Sequence, residues 1–319
     1  YLVRVGERVR SGDDILEQKG EFMSLTFSVK NKKKLLGGYA KALSEREISA
    51  LVEGLFFFNS EQEEPSANEL GADVMIAGVW QKSVRGFELN YEDGEYIVRV
   101  YTPSGVGDWQ IALELLSKLS AQTGSKIECD NEKIYDSEQI LKFDYETDIM
   151  WGLEALKDIK EKNQTLYISG VERDVAFDAV MVDEIFASAS PAAKFDEMMR
   201  QGQYLDAYSA REHLYQDKDG NEILGTYTLS ENLPTILPYA PSPSWQAQEA
   251  LGDRKVSRWV LTLVVGVDDS DAHVLDECEY GAFMANLPKE KYRFIDAANV
   301  LVEPLSEDEM KEILQKAKA

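Results

Sequence analysis

Hydrophobic positions along the chain alternate between the two-residue period of strands and the longer period of helices. Ser44 and Glu47 have the spacing of a capping box, and apolar residues then recur on one helical face as far as Phe56, which predicts a helix over 44–56. Residues 87–101 instead alternate on both sides of an Asp-Gly pair. This second pattern predicts a β-hairpin.

The same reasoning places further elements along the rest of the chain. Cap residues followed by a helical apolar period predict helices that open at Asp108, Asp148, Ser190 and Ser306. Alternating or apolar runs predict strands or hairpins at 25–29, 127–135, 166–168, 175–182, 214–229, 259–267 and 292–302. Hairpins with separately placed helices indicate an α+β fold with mostly antiparallel sheets and segregated amphipathic helices.

The strand predicted at 259–267 is apolar on both faces. Strands of this type lie centrally in a sheet and are covered on both sides. We therefore expect it to be the central strand of its domain.

Domain boundaries are suggested by a polar stretch at 161–164. It divides the chain into two α+β halves of similar size, 23–162 and 163–319. Each half has strands, a capped helix and a hairpin with an Asp or Asn turn, an order that an ancient duplication would produce. Residues 1–22 precede Met23, which has the context of a natural start, so we interpret them as an appended segment or an N-terminal extension.

Charge restricts the classes of partner. The chain has 58 Asp and Glu against 34 Lys and Arg, a formal net charge of −24. This acidity argues against binding to nucleic acid or to anionic membrane surfaces. It favours a protein partner with a basic or neutral surface, and it leaves the oligomeric state open.

Residues that commonly carry catalysis are scarce, with only two histidines and two cysteines. No Gly-rich nucleotide loop and no G-x-S-x-G elbow is present, and no His or Cys pair has the spacing of a structural zinc site. We assign no catalytic and no cofactor-binding residue. The lack of a membrane-length apolar stretch and the absence of a cysteine framework lead us to expect a cytoplasmic protein.

One acidic segment is a candidate for a hard metal ion. Asp268, Asp269, Asp271 and His273 follow the predicted central strand, with Asp276, Glu277 and Glu279 close behind. Carboxylate oxygens suit Mg²⁺, Mn²⁺ or Ca²⁺, and loops after buried strands often carry sites. The alternative, which the overall acidity favours, is a solvated acidic loop without a metal or any other cofactor.

Two aromatic segments are candidates for protein contact. The run that ends in Phe57 and Phe58 has more rings than one helix face needs, so these rings could line an interface rather than only pack in the core. Tyr239 and Trp245 flank a proline-rich stretch of polyproline character, which suits peptide recognition. Its alternative is a rigid internal loop.

Several short motifs are shared with a known family. Lys30-Asn31-Lys32-Lys33 and Leu35-Leu36-Gly37 follow Met23, and Asp108-Trp109 leads into Ala112-Leu113 and then to the hairpin at 127–135. In these features the chain resembles a bacterial domain-of-unknown-function family, found mainly in streptococci and related Firmicutes. The resemblance covers Met23 to the C-terminus. It implies a bacterial cytosolic protein of about 300 residues and no particular reaction.

Three hypotheses about function follow. The scarcity of catalytic residues and the acidity favour a non-enzymatic protein-interaction or binding module. The first alternative is a metal-assisted, hydrolase-like enzyme that uses the carboxylates of 268–279. The second is an inhibitor or immunity-type protein that neutralises a basic partner.

Overall fold

The computed structural model describes residues 3–4, 24–35, 37–60, 64–157, 165–217, 222–266 and 271–318. These residues form two compact units. The N-terminal unit comprises the described residues from 24 to Tyr204. The C-terminal unit comprises those from Leu205 onwards together with strand β1 (Val3–Arg4).

The N-terminal unit is built on one large antiparallel sheet. Its strands are Leu25–Lys30 (β2), Leu55–Phe57 (β3), Met75–Val79 (β4), Phe87–Glu92 (β5), Glu95–Val100 (β6), Ile127–Cys129 (β7), Ile134–Tyr135 (β8), Leu166–Ile168 (β9) and Val175–Phe177 (β10). Its helices are Glu45–Ser49 (α1), Val106–Thr123 (α2), Tyr145–Ala155 (α3), Ala179–Ala187 (α4) and Pro191–Gln203 (α5), with a 3₁₀ turn at Ile140–Lys142. Seven strands pair in the order β3-β4-β5-β6-β2-β7-β8, and β9 pairs with β10 separately.

The core of this unit lies between the large sheet and α2. Trp109 on α2 is fully buried and meets the ring of Phe27 on β2 edge to face, with 6.3 Å between ring centroids. Phe177 and Phe195 stack in the same core at 5.7 Å. The units therefore divide after Tyr204, not after residue 162, because strand β10 and helices α4 and α5 contribute buried side chains to the N-terminal core.

The helix predicted over 44–56 is shorter than expected. The capping box is present, since Ser44 and Glu47 exchange both hydrogen bonds, but α1 ends at Ser49. Gly54, with φ of 76°, turns the chain, and Leu55–Phe57 forms a strand with alternating burial. The i+7 and i+8 positions of the helical pattern are thus strand positions.

Most other predictions for this unit are confirmed. The hairpin β5–β6 turns at Asp93 and Gly94, whose φ angles are 50° and 87°. Helix α2 ends at Gly124 in the left-handed conformation as expected, but its N-cap is Gly105, and Asp108 lies three residues inside. The strand predicted over 175–182 stops at Phe177 because the Asp178 carboxylate caps α4.

The C-terminal unit contains two smaller sheets. Its remaining strands are Tyr208–Ser209 (β11), His213–Gln216 (β12), Ile223–Ser230 (β13), Thr235–Pro238 (β14), Arg258–Val265 (β15), His273–Glu279 (β16), Tyr292–Phe294 (β17) and Asn299–Val302 (β18). Its helices are Trp245–Leu251 (α6), Tyr280–Asn286 (α7) and Glu307–Lys318 (α8), with a 3₁₀ turn at Lys289–Lys291. The sheet orders are β1-β12-β13-β15-β16 and β11-β14-β18-β17.

The predicted fold class is confirmed, because only β13–β15 and β11–β14 are parallel among the pairs described. The two units do not share a sheet order, so their topologies do not repeat one another. Strand β15 has neighbours on both sides, yet one of its faces is only half-buried, at Thr262 and Val264. It is not covered equally on both sides as its composition suggested.

The strand predicted over 292–302 is a hairpin of β17 and β18. The buried Asp296 carboxylate accepts the backbone N–H groups of Ala298 and Asn299 at 2.8 and 2.7 Å, and this turns the chain. The last helix is confirmed with its capping box, in which Glu309 accepts the N–H of Ser306 at 2.9 Å.

Candidate functional site

Three aromatic side chains cluster at the edge of the four-stranded sheet. Tyr239 follows β14, and Tyr292 and Phe294 lie on β17. The ring of Tyr239 lies 5.0 Å from that of Phe294 and 5.8 Å from that of Tyr292, measured between centroids. Tyr239 is 39% exposed and Phe294 is 54% exposed. We call these three residues the β17 aromatic surface.

Strand register brings the three rings together. Tyr292 and Phe294 are two residues apart and so project from the same face of β17. They pair with Val302 and Val300 on β18, both of which are fully buried in the core of the C-terminal unit. On the far side of β18, Pro238 pairs with Asn299, and this register sets the place where Tyr239 leaves β14. The aromatic surface is therefore an exposed continuation of the apolar core.

The backbone of β17 is open along one side. Lys291 accepts the N–H of Glu303 at 2.8 Å, and Ile295 donates to the carbonyl of Asn299 at 3.0 Å, so these positions face β18. Antiparallel pairing alternates, so the N–H and C=O groups of Tyr292 and Phe294 point away from β18. In the described part of the chain, β17 is the last strand of its sheet.

A cavity of about 310 Å³ adjoins this surface. Its apolar lining includes Tyr239, Pro241, Trp259 and Met284. The carboxylate in the lining belongs to Glu279, which accepts the backbone N–H of Ala282 at 2.6 Å as the cap of α7. A hydrogen bond with Tyr239 raises the pKa of the Tyr292 hydroxyl above its ordinary value. The Tyr292 phenol therefore stays neutral at physiological pH.

The other aromatic candidates from the sequence differ in their surroundings. Phe57 is only 5% exposed and belongs to the N-terminal core, so its side chain is not available for contact. Phe58 is half-buried and clusters with Phe56 and Trp80, at a distance of 4.2 Å from the Phe56 ring. The side chain of Trp245 lies outside the described residues.

Two exposed aromatic residues were not predicted from the sequence as candidates for contact. Trp80 is 51% exposed, and Phe294 sits on a strand that was predicted without a surface role. Trp80 lies beside a turn, outside any repeating hydrophobic pattern, so the sequence gives no sign that its side chain is exposed. The signal for Phe294 was its two-residue spacing from Tyr292, which needed the position of the sheet edge to be interpreted.

The candidate metal ligands do not form a cluster where they are described. Asp268 and Asp269 lie outside the described residues. The backbone carbonyl of Asp271 lies 2.9 Å from Nδ1 of His273. Among the residues that the structure describes, no three His, Cys, Asp or Glu side chains are placed to hold a metal ion.

The carboxylates that follow along β16 have other contacts. Lys318 forms an ion pair with Asp276 at 2.5 Å, and this hydrogen bond lowers the pKa of the Asp276 carboxyl. Glu277 accepts from the hydroxyl of Thr262 at 3.5 Å. Glu279 caps α7, as described above. These side chains thus bind protein groups and do not converge on one point.

In the described part of the chain, no helix combines the length and the apolar character needed to cross a membrane.

These observations define an α+β protein of two units, whose C-terminal unit carries an exposed aromatic sheet edge. The family model described as Domain of unknown function (DUF4299) matches residues 24–313, and the chain belongs to this family. The resemblance found from the sequence motifs is thereby confirmed. Comparison with curated proteins and with solved structures gives no significant match.

Proposed function

We propose that this protein is a protein-interaction module, and that its C-terminal unit binds an extended segment of a partner protein along β17. The observation that supports this proposal is the β17 aromatic surface, in which rings 39% and 54% exposed stand beside an open strand edge.

A partner strand at this edge would gain two kinds of contact. Its backbone would pair with the outward N–H and C=O groups of Tyr292 and Phe294, as in other cases of strand addition. Alternate side chains of the partner would pack on the exposed rings, and buried aromatic residues commonly dominate the binding energy of interfaces. The partner segment therefore carries apolar residues at every second position.

Charge restricts the partner further. The chain carries a net charge of −24, which repels acidic proteins, leaves neutral ones unaffected and speeds association with basic ones. Lys291 is paired with Glu309 at 2.6 Å, so this lysine does not offset the overall acidity next to β17. We therefore expect the segment to be neutral or basic.

Selection from a displayed library of random peptides tests the proposal. We expect the selected peptides to have apolar residues at alternating positions and to bind the double variant Tyr239→Ser/Phe294→Ser at least about 10-fold more weakly than the unmodified protein. Hydrogen exchange should show new protection of the amides of Tyr292 and Phe294 when such a peptide is bound.

Tyr208→Ser provides the matched control. Tyr208 is 48% exposed and lies on β11, at the opposite edge of the same sheet. The Tyr208→Ser variant should bind the selected peptides with the affinity of the unmodified protein. The proposal is wrong if the peptides bind the double variant with undiminished affinity, or if the protected amides lie elsewhere.

A further inference from the structure

A second cavity, of about 600 Å³, lies within the N-terminal unit. It is bordered by the start of β2, the turn between β7 and β8, and the first turns of α3. Its apolar lining is formed by Leu25, Tyr135, Phe143 and Trp151. The volume falls within the range of small-molecule sites in proteins, roughly 300–1,000 Å³.

One carboxylate in this cavity is partly withdrawn from bulk water. Asp148 lies on α3 and is half-buried, and the hydroxyl of the buried Thr102 donates to its Oδ2 at 2.9 Å. Burial raises the pKa of the Asp148 carboxyl to about 6, although the Thr102 bond opposes the rise. The charged neighbour that contributes to the shift is another carboxylate, Asp130, rather than a cation.

The remaining charged groups of the lining are engaged or exposed. Asp144 caps α3 and accepts both the N–H and the hydroxyl of Thr147, at 3.2 and 2.7 Å. These hydrogen bonds from Thr147 lower the pKa of the Asp144 carboxyl, and the charge of Lys133 lowers it further. Lys142 is exposed at the start of the segment that leads into α3. Among the charged groups that line the cavity, Asp148 is thus the one whose side chain is partly buried.

We propose that this cavity binds an organic amine, whose ammonium group pairs with Asp148 while its apolar group packs against Tyr135, Phe143 and Trp151. A cation restores the favourable interactions that the half-buried carboxylate lost when it left water. Aromatic ring faces attract the same cation. The cavity is therefore complementary to the two halves of such a molecule.

Calorimetric titration with 2-phenylethylamine at about pH 7.5 tests this site. The neutral 2-phenylethanol and the anionic 3-phenylpropionate serve as matched ligands of similar size. We expect the amine to bind at least about 10-fold more tightly than the alcohol, and the anion not to bind. Affinity for the amine should fall as the pH drops through about 6, since Asp148 takes up a proton while the amine stays charged.

Variants locate the effect. Asp148→Asn keeps the shape and the acceptor for Thr102, and it should reduce the affinity for the amine to that for the alcohol. Glu146→Gln, an exposed neighbour on α3, should bind the amine as the unmodified protein does. Circular dichroism establishes that both variants are folded.

The inference is overturned if the amine does not bind, if the alcohol binds as tightly, or if Asp148→Asn leaves the affinity unchanged. Preferred binding of 3-phenylpropionate would also overturn it and would assign the cavity to its lysines. The cavity lies in the N-terminal unit and β17 in the C-terminal unit. A failure of the amine to bind would therefore not affect the proposal for the β17 aromatic surface.

Discussion

The carboxylate of Asp108 accepts the backbone N–H of Gly105 at 3.0 Å, and so closes the first turn of α2 from inside the core. The same carboxylate accepts hydrogen bonds from Ser104 Oγ and from the backbone N–H groups of Val84, Arg85 and Gly86. Asp108 is fully buried, so these protein donors replace the water it would otherwise bind. Burial raises the pKa of this carboxyl, and the backbone donors oppose the rise.

Replacing Asp108 by Asn should destabilise the protein by about 3 kcal/mol. The amide keeps the shape of the carboxylate, but its NH₂ group would face backbone N–H groups that then lose their acceptor. Urea unfolding measures the change, with Glu114→Gln, exposed on the same helix, as the control. A loss below about 1 kcal/mol would mean that the donors find water or other acceptors.

The free energy of unfolding should depend on pH through the titration of Asp148. Its pKa rises from the ordinary 3.8 to about 6 on folding, so the folded state holds the proton more tightly between these values. Stability from this group is therefore present at low pH and is lost as the pH rises through this window, by up to about 3 kcal/mol.

The variant Asp148→Asn isolates this effect. The hydrogen bond with Lys291 is the main cause that lowers the pKa of Glu309 to about 2, so Glu309 makes the protein less stable as the pH falls. Because this effect is present in both proteins, the difference in unfolding free energy between them reports on Asp148. At about pH 7.5 the variant should be the more stable protein, and the difference should shrink towards about pH 5. A difference that does not change with pH would contradict the prediction.

Two glycines with similar backbone angles should respond differently to alanine. Gly94 has φ of 87° and a Cβ there would overlap the ring of Tyr39, whereas Gly37 has φ of 93° and open space around it. Gly37→Ala should cost only the backbone strain, about 1 kcal/mol, and Gly94→Ala about 3 kcal/mol. Equal losses in thermal unfolding would show that Tyr39 moves aside freely.

The two thiols should be unreactive in the native protein. Cys129 lies in the N-terminal unit and Cys278 in the C-terminal unit; both are buried, and burial raises the pKa of each to about 11. We expect alkylation by iodoacetamide at about pH 8 to be at least about 100-fold slower than in urea. Mass spectrometry of each cysteine peptide then follows the opening of each unit separately. Rapid labelling without urea would contradict the burial of that thiol.

Local features of the fold were predictable from short stretches of the chain. The capping boxes at Ser44 and Ser306 and the hairpin around Gly94 involve residues within a few positions of one another. Their stability depends on local backbone geometry and on side chains close by in the sequence, so residue type and spacing are enough to predict them. The family resemblance likewise depended on short motifs.

Features that depend on distant residues were predicted less well. The helix at 44–56 failed after Ser49, because Leu55–Phe57 gains more by pairing with β4 than a helix would gain there. The boundary between the units was misplaced, because nothing local to β10 or α5 states which core they join. The sequence predicts Asp148 only as the start of a helix, but α3 begins at Tyr145 with Asp144 as its cap. The contact of Asp148 with Thr102 was not predictable, because Thr102 lies far away in the sequence.

By itself, the sequence determined the α+β class, the acidity, the scarcity of catalytic side chains and the ends of several helices, because each depends on composition or on neighbours along the chain. Only the tertiary structure decided that Phe57 is buried while Phe294 is exposed, that Asp148 faces an aromatic cavity, and that Asp276 pairs with Lys318. These outcomes depend on which distant strands pair and which faces they cover, and burial, not residue type, then determines what each side chain can bind.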